Sequence, residues 1–403
     1  MHHNILIVDG ETNQLHALQR SFRRLRDGWT VNVAENAANA LSILSSQAVE
    51  ILITETQLPG MDGLELLSKT RKIFPQVIRI VLSGRSQQEL VLKSLGIAHQ
   101  YLTKPCDDPT LMAAIARAFL VRGLIADETL QALATSVKSL PSLPRLYLEL
   151  TRELQSQEPS VAKVTQIVSR DLGLTTKLLQ LVNSSFFGLP QPISDIGKAV
   201  NLLGMDLVKT MALASGMASQ FKDVNIPGSS MEALWTHSFN TGALAKALCQ
   251  AEALEPAVAN DAYMAGLLHD TGKLILAAHM PDEFKQAHYV ADVRQLPFWA
   301  AEKAILGVSH AELGGYLLGL WGMPESVIRA VAFHHRPQAS PSNTLTPLFF
   351  VYLANIFEKA GAAMLQSEKP VLGLEPSYLS STGQEAKLPL WRKLCADHLS
   401  QAA

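Results

Sequence analysis

The chain has 403 residues, 48% of them apolar and 17% charged, with a formal net charge of −2. That length exceeds one ordinary core and predicts two or three domains, and the near-neutral charge leaves no electrostatic footprint for nucleic acid, so DNA binding is not expected. Three cysteines, Cys106, Cys249 and Cys395, form no CxxC pair, as in a reduced cytoplasmic protein, and the best apolar run, Leu345 to Phe357, is too short to predict membrane insertion.

From the N-terminus, short apolar runs at Ile5 to Val8, Val31 to Ala34, Ile51 to Thr54, Val77 to Leu82 and Gln100 to Leu102 read as strands. Amphipathic segments alternate with them: Gln14 to Arg26, Ala37 to Ser46, Leu64 to Ile73, Gln87 to Leu95 and Asp108 to Leu120. Five β-α units predict a parallel sheet covered on both faces, with a functional crevice at the carboxyl ends of its strands. Asp9, Glu55, Ser83 and Lys104 stand at those ends. The Arg20, Arg23, Arg24 and Arg26 group interleaves Phe22 and Leu25, the pattern of a helix with one solvated face.

Residues 1–121 resemble a response-regulator receiver domain, a five-stranded flavodoxin-like α/β fold. The resemblance rests on Ile5-Leu-Ile-Val-Asp9, Leu58-Pro-Gly-Met-Asp-Gly-Leu-Glu65, Ser83 and Tyr101-Leu-Thr-Lys104-Pro105. It implies phosphoryl transfer to an Asp after strand three, with magnesium held by that Asp and an acid pair after strand one. Here the acceptor position is Glu55, and the second acid is replaced by Gly10, with Glu11 one residue displaced. Magnesium demands near-octahedral oxygen geometry, so this set is expected to hold it poorly and phosphorylation is expected to be lost. The resemblance gives Ser83, Lys104 and Tyr101 the roles of phosphoryl sensor, paired cation and switching aromatic. A Glu55–Lys104 pair would either hold an active-like state or be a buried ion pair in a receiver kept for docking. The docking reading is preferred, because altered sites more often mark lost function.

Asp108 to about Lys138 reads as one helical region, with a kink or break near Gly123; residues 122–139 form the linker. Its apolar stripe of Leu111, Ile115, Phe119, Leu124, Leu130 and Leu133 suits either intramolecular packing or a homodimer seam. Beyond Leu140-Pro-Ser-Leu-Pro144 the chain reads as all-helical, with helices at Pro159 to Arg170, Leu172 to Asn183, Asp195 to Leu203, Asp206 to Phe221 and Ala233 to Ala251.

The stretch Met264-Ala-Gly-Leu-Leu-His269-Asp270-Thr-Gly-Lys273 sets an imidazole beside a carboxylate at the end of an apolar helical run. Neighbours on a helix diverge by about 100°, so both reach one centre only if other helices converge there. His237, His310, His334 and His335 are the further candidates. These donors suit a borderline divalent metal, and open sites of that kind hydrolyse phosphate esters. Taken singly, each has a plainer reading: His237 as a core histidine, His310 as a cap, His334 and His335 as imidazolium at a helix end, Lys273 as an exposed lysine.

His237, His269 and Asp270 match the ligand order of the HD superfamily of metal-dependent phosphohydrolases, which this chain resembles. That order ends in an Asp, where this chain has Asn355, a neutral amide that brings no charge to offset the cation's desolvation. Residues 140–337 resemble the HDOD domain, a signalling relative of those hydrolases with an all-α, HD-like fold. The motifs are Leu140-Pro-Ser-Leu-Pro144, Val182-Asn-Ser, Ala199-Val-Asn-Leu-Leu-Gly204, Leu234-Trp-Thr-His237-Ser and His334-His335. The resemblance implies regulation, with a divalent metal in the HD-like site and phosphate at Lys273 as candidates. Residues 338–403 read as a helical extension of that domain.

The expectation is thus an atypical response regulator in the cytoplasm. Its receiver would dock a kinase or downstream effector, and its helical domain would act by binding a protein or ligand. The alternative is a metal-dependent phosphohydrolase of a cyclic nucleotide or dinucleotide.

Overall fold

A computed structural model describes residues 3–13, 15, 19, 29–84, 97–104, 106–137, 149–150, 153–154, 159–183, 189, 191–205, 208, 230–340, 345–367 and 369–402. The expected helices at Gln14 to Arg26, Gln87 to Leu95 and Asp206 to Phe221 fall largely or wholly outside these residues, as does the Leu140 to Pro144 motif. The chain divides into two compact units, one made mainly of Met1–Lys138 and the other mainly of Ser139–Leu179, Ile193–Leu318 and Met323–Ala403.

In the first unit, β1 (His3–Val8), β2 (Trp29–Ala34), β3 (Ile51–Thr54), β4 (Ile78–Gly84) and β5 (Gln100–Lys104) form one sheet in the order β2-β1-β3-β4-β5. Every pairing is parallel, with Ile5 opposite both Val31 and Ile51. Strand residues on both faces are buried: Leu6, Val8, Leu52 and Val81 join one cluster with Ala37, Leu44, Leu66 and Leu67, while Ile5, Ile7, Ile53 and Ile80 are buried on the other side. Such burial on two faces explains why the strands read as continuous apolar runs. The helices α1 (Ala37–Ser46), α2 (Gly63–Ile73) and α3 (Asp108–Arg122) start where Asn36, Asp62 and Asp107 accept hydrogen bonds from backbone N–H groups in the first turn.

The linker is broken. Asp127 caps a separate helix, α4 (Glu128–Ser136), by accepting from Thr129 and Leu130 N–H. Thr135 donates to the Pro75 carbonyl at 2.7 Å, and Leu111, Ile115 and Leu130 of the apolar stripe are buried.

Buried His99 accepts a hydrogen bond at Nδ1 from the Arg79 backbone N–H at 2.9 Å. Burial, helped by the Arg79 charge, holds its pKa well below the ordinary 6.5. Below about pH 6.5 the unfolded chain binds a proton that the folded unit refuses, so stability is lost as pH falls, by up to about 1.4 kcal/mol per unit. We expect the urea midpoint of this unit to drop between pH 7 and 5 and His99→Asn to flatten that slope; an unchanged slope would remove His99 as its cause.

The second unit is helical: α5 (Val161–Val168), α6 (Leu172–Val182), α7 (Ile196–Leu203), α8 (Met231–Ala251), α9 (Pro256–Leu268), α10 (Thr271–His279), α11 (Pro281–Arg294), α12 (Phe298–Leu306), α13 (His310–Leu320), α14 (Glu325–Phe333), α15 (Pro347–Gln366), α16 (Pro376–Thr382) and α17 (Leu388–Ala402). Two close approaches fix how these helices meet. Helices α8 and α9 cross at glycines: a Cβ on Gly266 would lie 2.6 Å from the Gly242 Cα. The start of α10 abuts α13, where a Cβ on Gly272 would lie 2.0 Å from the His310 carbonyl oxygen.

Helix α15 is longer than the apolar run read from the sequence, continuing past Phe357 through Glu358 and Lys359 with a kink at Gly361. By length and composition alone it could cross a membrane. Its residues Pro347 to Asn355 are all buried, and it packs on α8, α9, α14 and α17, the setting of a core helix. Trp391 on α17 is fully buried and donates from Nε1 to Glu252.

Candidate functional site

The first unit gathers three charged groups at the carboxyl end of its sheet. Asp9 follows β1, Glu55 follows β3 and Lys104 ends β5. The Lys104 ammonium lies 2.5 Å from Asp9 Oδ2 and 3.0 Å from Glu55 Oε2, and Asp9 Oδ1 accepts the Glu11 backbone N–H at 2.9 Å. Glu11 itself is exposed. Burial raises the Glu55 pKa and the Asp9 charge adds to it, with Lys104 pulling the other way. Lys104 is raised despite its burial, because both carboxylates favour its charge. Ser83 and Tyr101 lie on β4 and β5, but their side chains are outside the described residues.

In the helical unit, residues scattered over about a hundred positions converge. His237 sits on α8, His269 ends α9, Asp270 opens α10 with Lys273 one turn on, His310 opens α13, and His334 and His335 follow α14. Asp270 is buried at the centre. Its Oδ2 faces His269 Nε2 at 3.5 Å, His237 Nε2 at 3.7 Å and Lys273 Nζ at 2.6 Å. Its Oδ1 faces His310 Nε2 at 3.2 Å and His334 Nε2 at 3.9 Å, and His335 Nε2 lies 3.0 Å from His310 Nε2. Two donor groups therefore share one carboxylate: His237, His269 and Asp270 on one side, and Asp270, His310, His334 and His335 on the other.

The outer nitrogens show why the inner ones point inward. His269 Nδ1 meets the Gly266 carbonyl and His334 Nδ1 the Val331 carbonyl, each at 2.7 Å. His237 Nδ1 meets Glu358 and His310 Nδ1 meets Glu302, each at 2.5 Å. All four partners are acceptors, so these nitrogens carry the protons. A neutral ring then turns a bare Nε2 inward, the arrangement in which histidine ligates metal.

The inner nitrogens test whether a cation fits. His237 Nε2 and His269 Nε2 lie 3.1 Å apart. With both Nδ1 atoms protonated, two lone pairs would face each other, so a positive centre, proton or metal, is required between them. Burial pushes the His269 pKa down to about 3, so this ring is held neutral. Among the described residues, fully buried His334 Nε2 has no hydrogen-bond partner, and burial, helped by His269 and His310, lowers its pKa well below the ordinary range. His335 is lowered in the same way. Burial opposes charge on His310 most, but Glu302 and Asp270 together outweigh it and the pKa is raised. Burial likewise opposes the Asp270 carboxylate, yet His269, Lys273 and His310 hold it ionised. The donor set, with its orphaned nitrogen, fits divalent metal.

Asn355 is buried on α15 with an Oδ1 that has no hydrogen-bond partner among the described residues; one turn later Glu358 meets His237. Neither Glu358 nor Glu302 was legible as part of the site. Glu302 stands between Ala301 and Lys303 and reads as an exposed helical acid. Glu358 carried one signal, its position three residues after Asn355 and so on the same helix face.

A parallel α/β unit with an acid–lysine cluster, joined to a helical unit with a His–Asp centre, defines a two-domain signalling protein. Residues 5–116 match the family model of the response regulator receiver domain and residues 140–337 that of the HDOD domain. The chain carries a receiver domain followed by an HDOD domain, the make-up of a signal-transduction protein. It is 26% identical over 292 residues to an uncharacterized protein of Treponema pallidum, covering 72% of this chain and 55% of that one. It is 30% identical over 125 residues to the hydrogenase transcriptional regulatory protein HoxA of Cupriavidus necator, covering 30% of this chain and 25% of the regulator. The chain thus spans only part of each of these relatives. The crystal structure of a virulence factor from Campylobacter jejuni covers 67% of this chain and 96% of its own, with a TM-score of 0.52 at 21% identity, a likeness of fold.

Proposed function

We propose that the receiver works unphosphorylated, as a docking element in the cytoplasm held by its Asp9–Lys104–Glu55 cluster. The helical domain holds divalent metal and takes a phosphorylated ligand of the cyclic nucleotide or dinucleotide class, its output being binding rather than turnover. The observation that carries this reading is Asp270, whose two oxygens face separate sets of imidazole nitrogens. His237, His269 and Asp270 would hold one ion, and Asp270 with His310, His334 and His335 a second. Mixed nitrogen and oxygen donors suit zinc, iron or manganese. An ion so held supplies Lewis acidity toward a phosphoryl oxygen. Lys273, beside Asp270, offers a further cation to a phosphate.

Binding is preferred over turnover because the helix position where the HD order carries its last acid is the neutral Asn355. In the receiver, Gly10 leaves the acid set one carboxylate short and Lys104 already pairs with both remaining acids, which does not suit magnesium. The second reading, a metal-dependent phosphodiesterase, is favoured by the sharing of one carboxylate between two donor groups, an arrangement suited to two-metal phosphoester hydrolysis.

The test is elemental analysis of untagged, chelator-free protein, followed by assays of cyclic dinucleotide binding and bis(p-nitrophenyl) phosphate hydrolysis. Bound metal with ligand binding but no turnover supports the proposal. Turnover that is lost in His269→Ala/Asp270→Ala would replace it with the hydrolase, and absence of metal would remove both. Acetyl phosphate with magnesium is expected to leave the receiver unchanged.

A further inference from the structure

Two carboxylates outside the donor groups meet the cluster, each at the outer nitrogen of one histidine. Glu358 Oε2 lies 2.5 Å from His237 Nδ1, and its Oε1 accepts from Asn240 Nδ2 at 3.3 Å. Glu302, fully buried, has Oε2 2.5 Å from His310 Nδ1 and accepts the His310 backbone N–H at 3.0 Å. Their distribution is even. His269 and His334 donate to neutral backbone carbonyls, so each donor group contains one carboxylate-backed and one carbonyl-backed histidine, with His335 a third in the second group.

We propose that Glu358 and Glu302 are positioning residues of the metal centre, each fixing its histidine with Nε2 toward Asp270 and lending negative charge to its ion through the imidazole ring. This rests on the proposed metal reading and deepens it. A carboxylate behind a ligating histidine fixes its tautomer and raises its basicity. Asn355 brings no charge, and Asp270 must serve both donor groups. Glu358 and Glu302 then supply one carboxylate per group. Glu358 does so from the same helix as Asn355, one turn on, so the charge enters through His237 instead of by direct ligation.

The experiment is titration of the metal-free full-length chain with Zn²⁺ against a chromophoric chelator, and with Co²⁺ followed by its visible absorption, for wild type, Glu358→Gln and Glu302→Gln. Glutamine keeps one acceptor for Nδ1–H and removes the charge; in Glu358→Gln its NH2 replaces the oxygen that accepts from Asn240, whose amide can turn to present Oδ1 instead. The expected result is unchanged stoichiometry, affinity lower by about 10–100-fold in each variant, a shifted Co²⁺ spectrum, and in Glu358→Gln an unaltered unfolding temperature of the metal-free protein. Should fully buried Glu302→Gln fail to fold, partly exposed Glu358→Gln decides alone. Metal bound by wild type and by the folded Gln variants with equal affinity and spectrum would overturn this proposal and leave the metal reading standing. A wild type that binds no metal would overturn both.

Discussion

Asp270→Asn is expected to abolish tight metal binding in both donor groups at once, lowering affinity by more than about 100-fold. The benchmark is the about 10–100-fold cost of altering a partner that only supports a ligand; Asp270 is placed to be a ligand twice, through Oδ2 on the His237 side and Oδ1 on the His310 side. Asn is nearly isosteric and keeps one acceptor, so the change tests charge more than shape. Two effects on the metal-free protein oppose each other. Loss of the carboxylate leaves Lys273 without its partner at 2.6 Å, and breaking a buried pair costs about 3–5 kcal/mol, less here because the lysine side chain retains 17% exposure. Against this, an ionised carboxylate no longer has to be held away from water. The metal-free unfolding temperature should therefore fall modestly. The decisive measurement is the stabilisation by added metal, about 2.7 kcal/mol when free metal is 100 times its Kd. It should be present in wild type and absent in Asp270→Asn. Equal stabilisation of both proteins would show that the metal, if bound, lies elsewhere.

Much of this molecule is written locally in its sequence. The five strands are legible because burial on both faces makes each a continuous apolar run; Asn36 and Asp62 mark helix starts between strands, and Asp107 the one that follows β5. The histidines are legible as a set, although each alone has a plainer reading; only the packing of α8, α9, α10, α13 and α14 shows that Nε2 atoms from five of them gather around Asp270. What sequence cannot display is which outer nitrogen meets which acceptor. Glu302 looks like any helical acid until the α12–α13 turn folds it onto His310, and Glu358 looks like the polar end of an apolar helix until α15 packs on α8. Charge at the site is consequently under-read from the sequence, which registers the loss at Asn355 but not the two carboxylates that stand behind the histidines. The same applies to the receiver, where the substitutions at Gly10 and Glu55 are visible as letters while the double pairing of Lys104 is a property of three strand ends brought together.

The glycine beside the His–Asp pair carries as much of the site as the ligands do, and Gly272→Ala is expected to cost more than about 3 kcal/mol of stability and to scatter the donors. Adding methylenes to a packed core typically costs about 1–3 kcal/mol when side chains can shift. Here the new Cβ would lie 2.0 Å from the His310 carbonyl oxygen, 2.7 Å from its carbon and 2.8 Å from its Cα, all backbone atoms that move only if the start of α13 moves. That displacement would draw His310 away from Asp270 Oδ1, its neighbour at 3.2 Å, and carry Glu302 with it through the bond to the His310 N–H. Helix propensity alone favours the opposite outcome, since Ala is better than Gly in a helix by about 1 kcal/mol, so a net loss would be attributable to the close approach. Gly314→Ala supplies the comparison: its Cβ would meet the Thr271 hydroxyl at 3.1 Å and the Gly272 nitrogen at 3.3 Å, contacts relieved by small adjustments. Urea unfolding should show a large loss for Gly272→Ala and a change within about 1.5 kcal/mol for Gly314→Ala, with metal binding impaired only in the former. If Gly272→Ala unfolds like wild type and binds metal equally well, the contact between α10 and α13 is looser than these distances imply, and the juxtaposition of Asp270 with His310 does not depend on it.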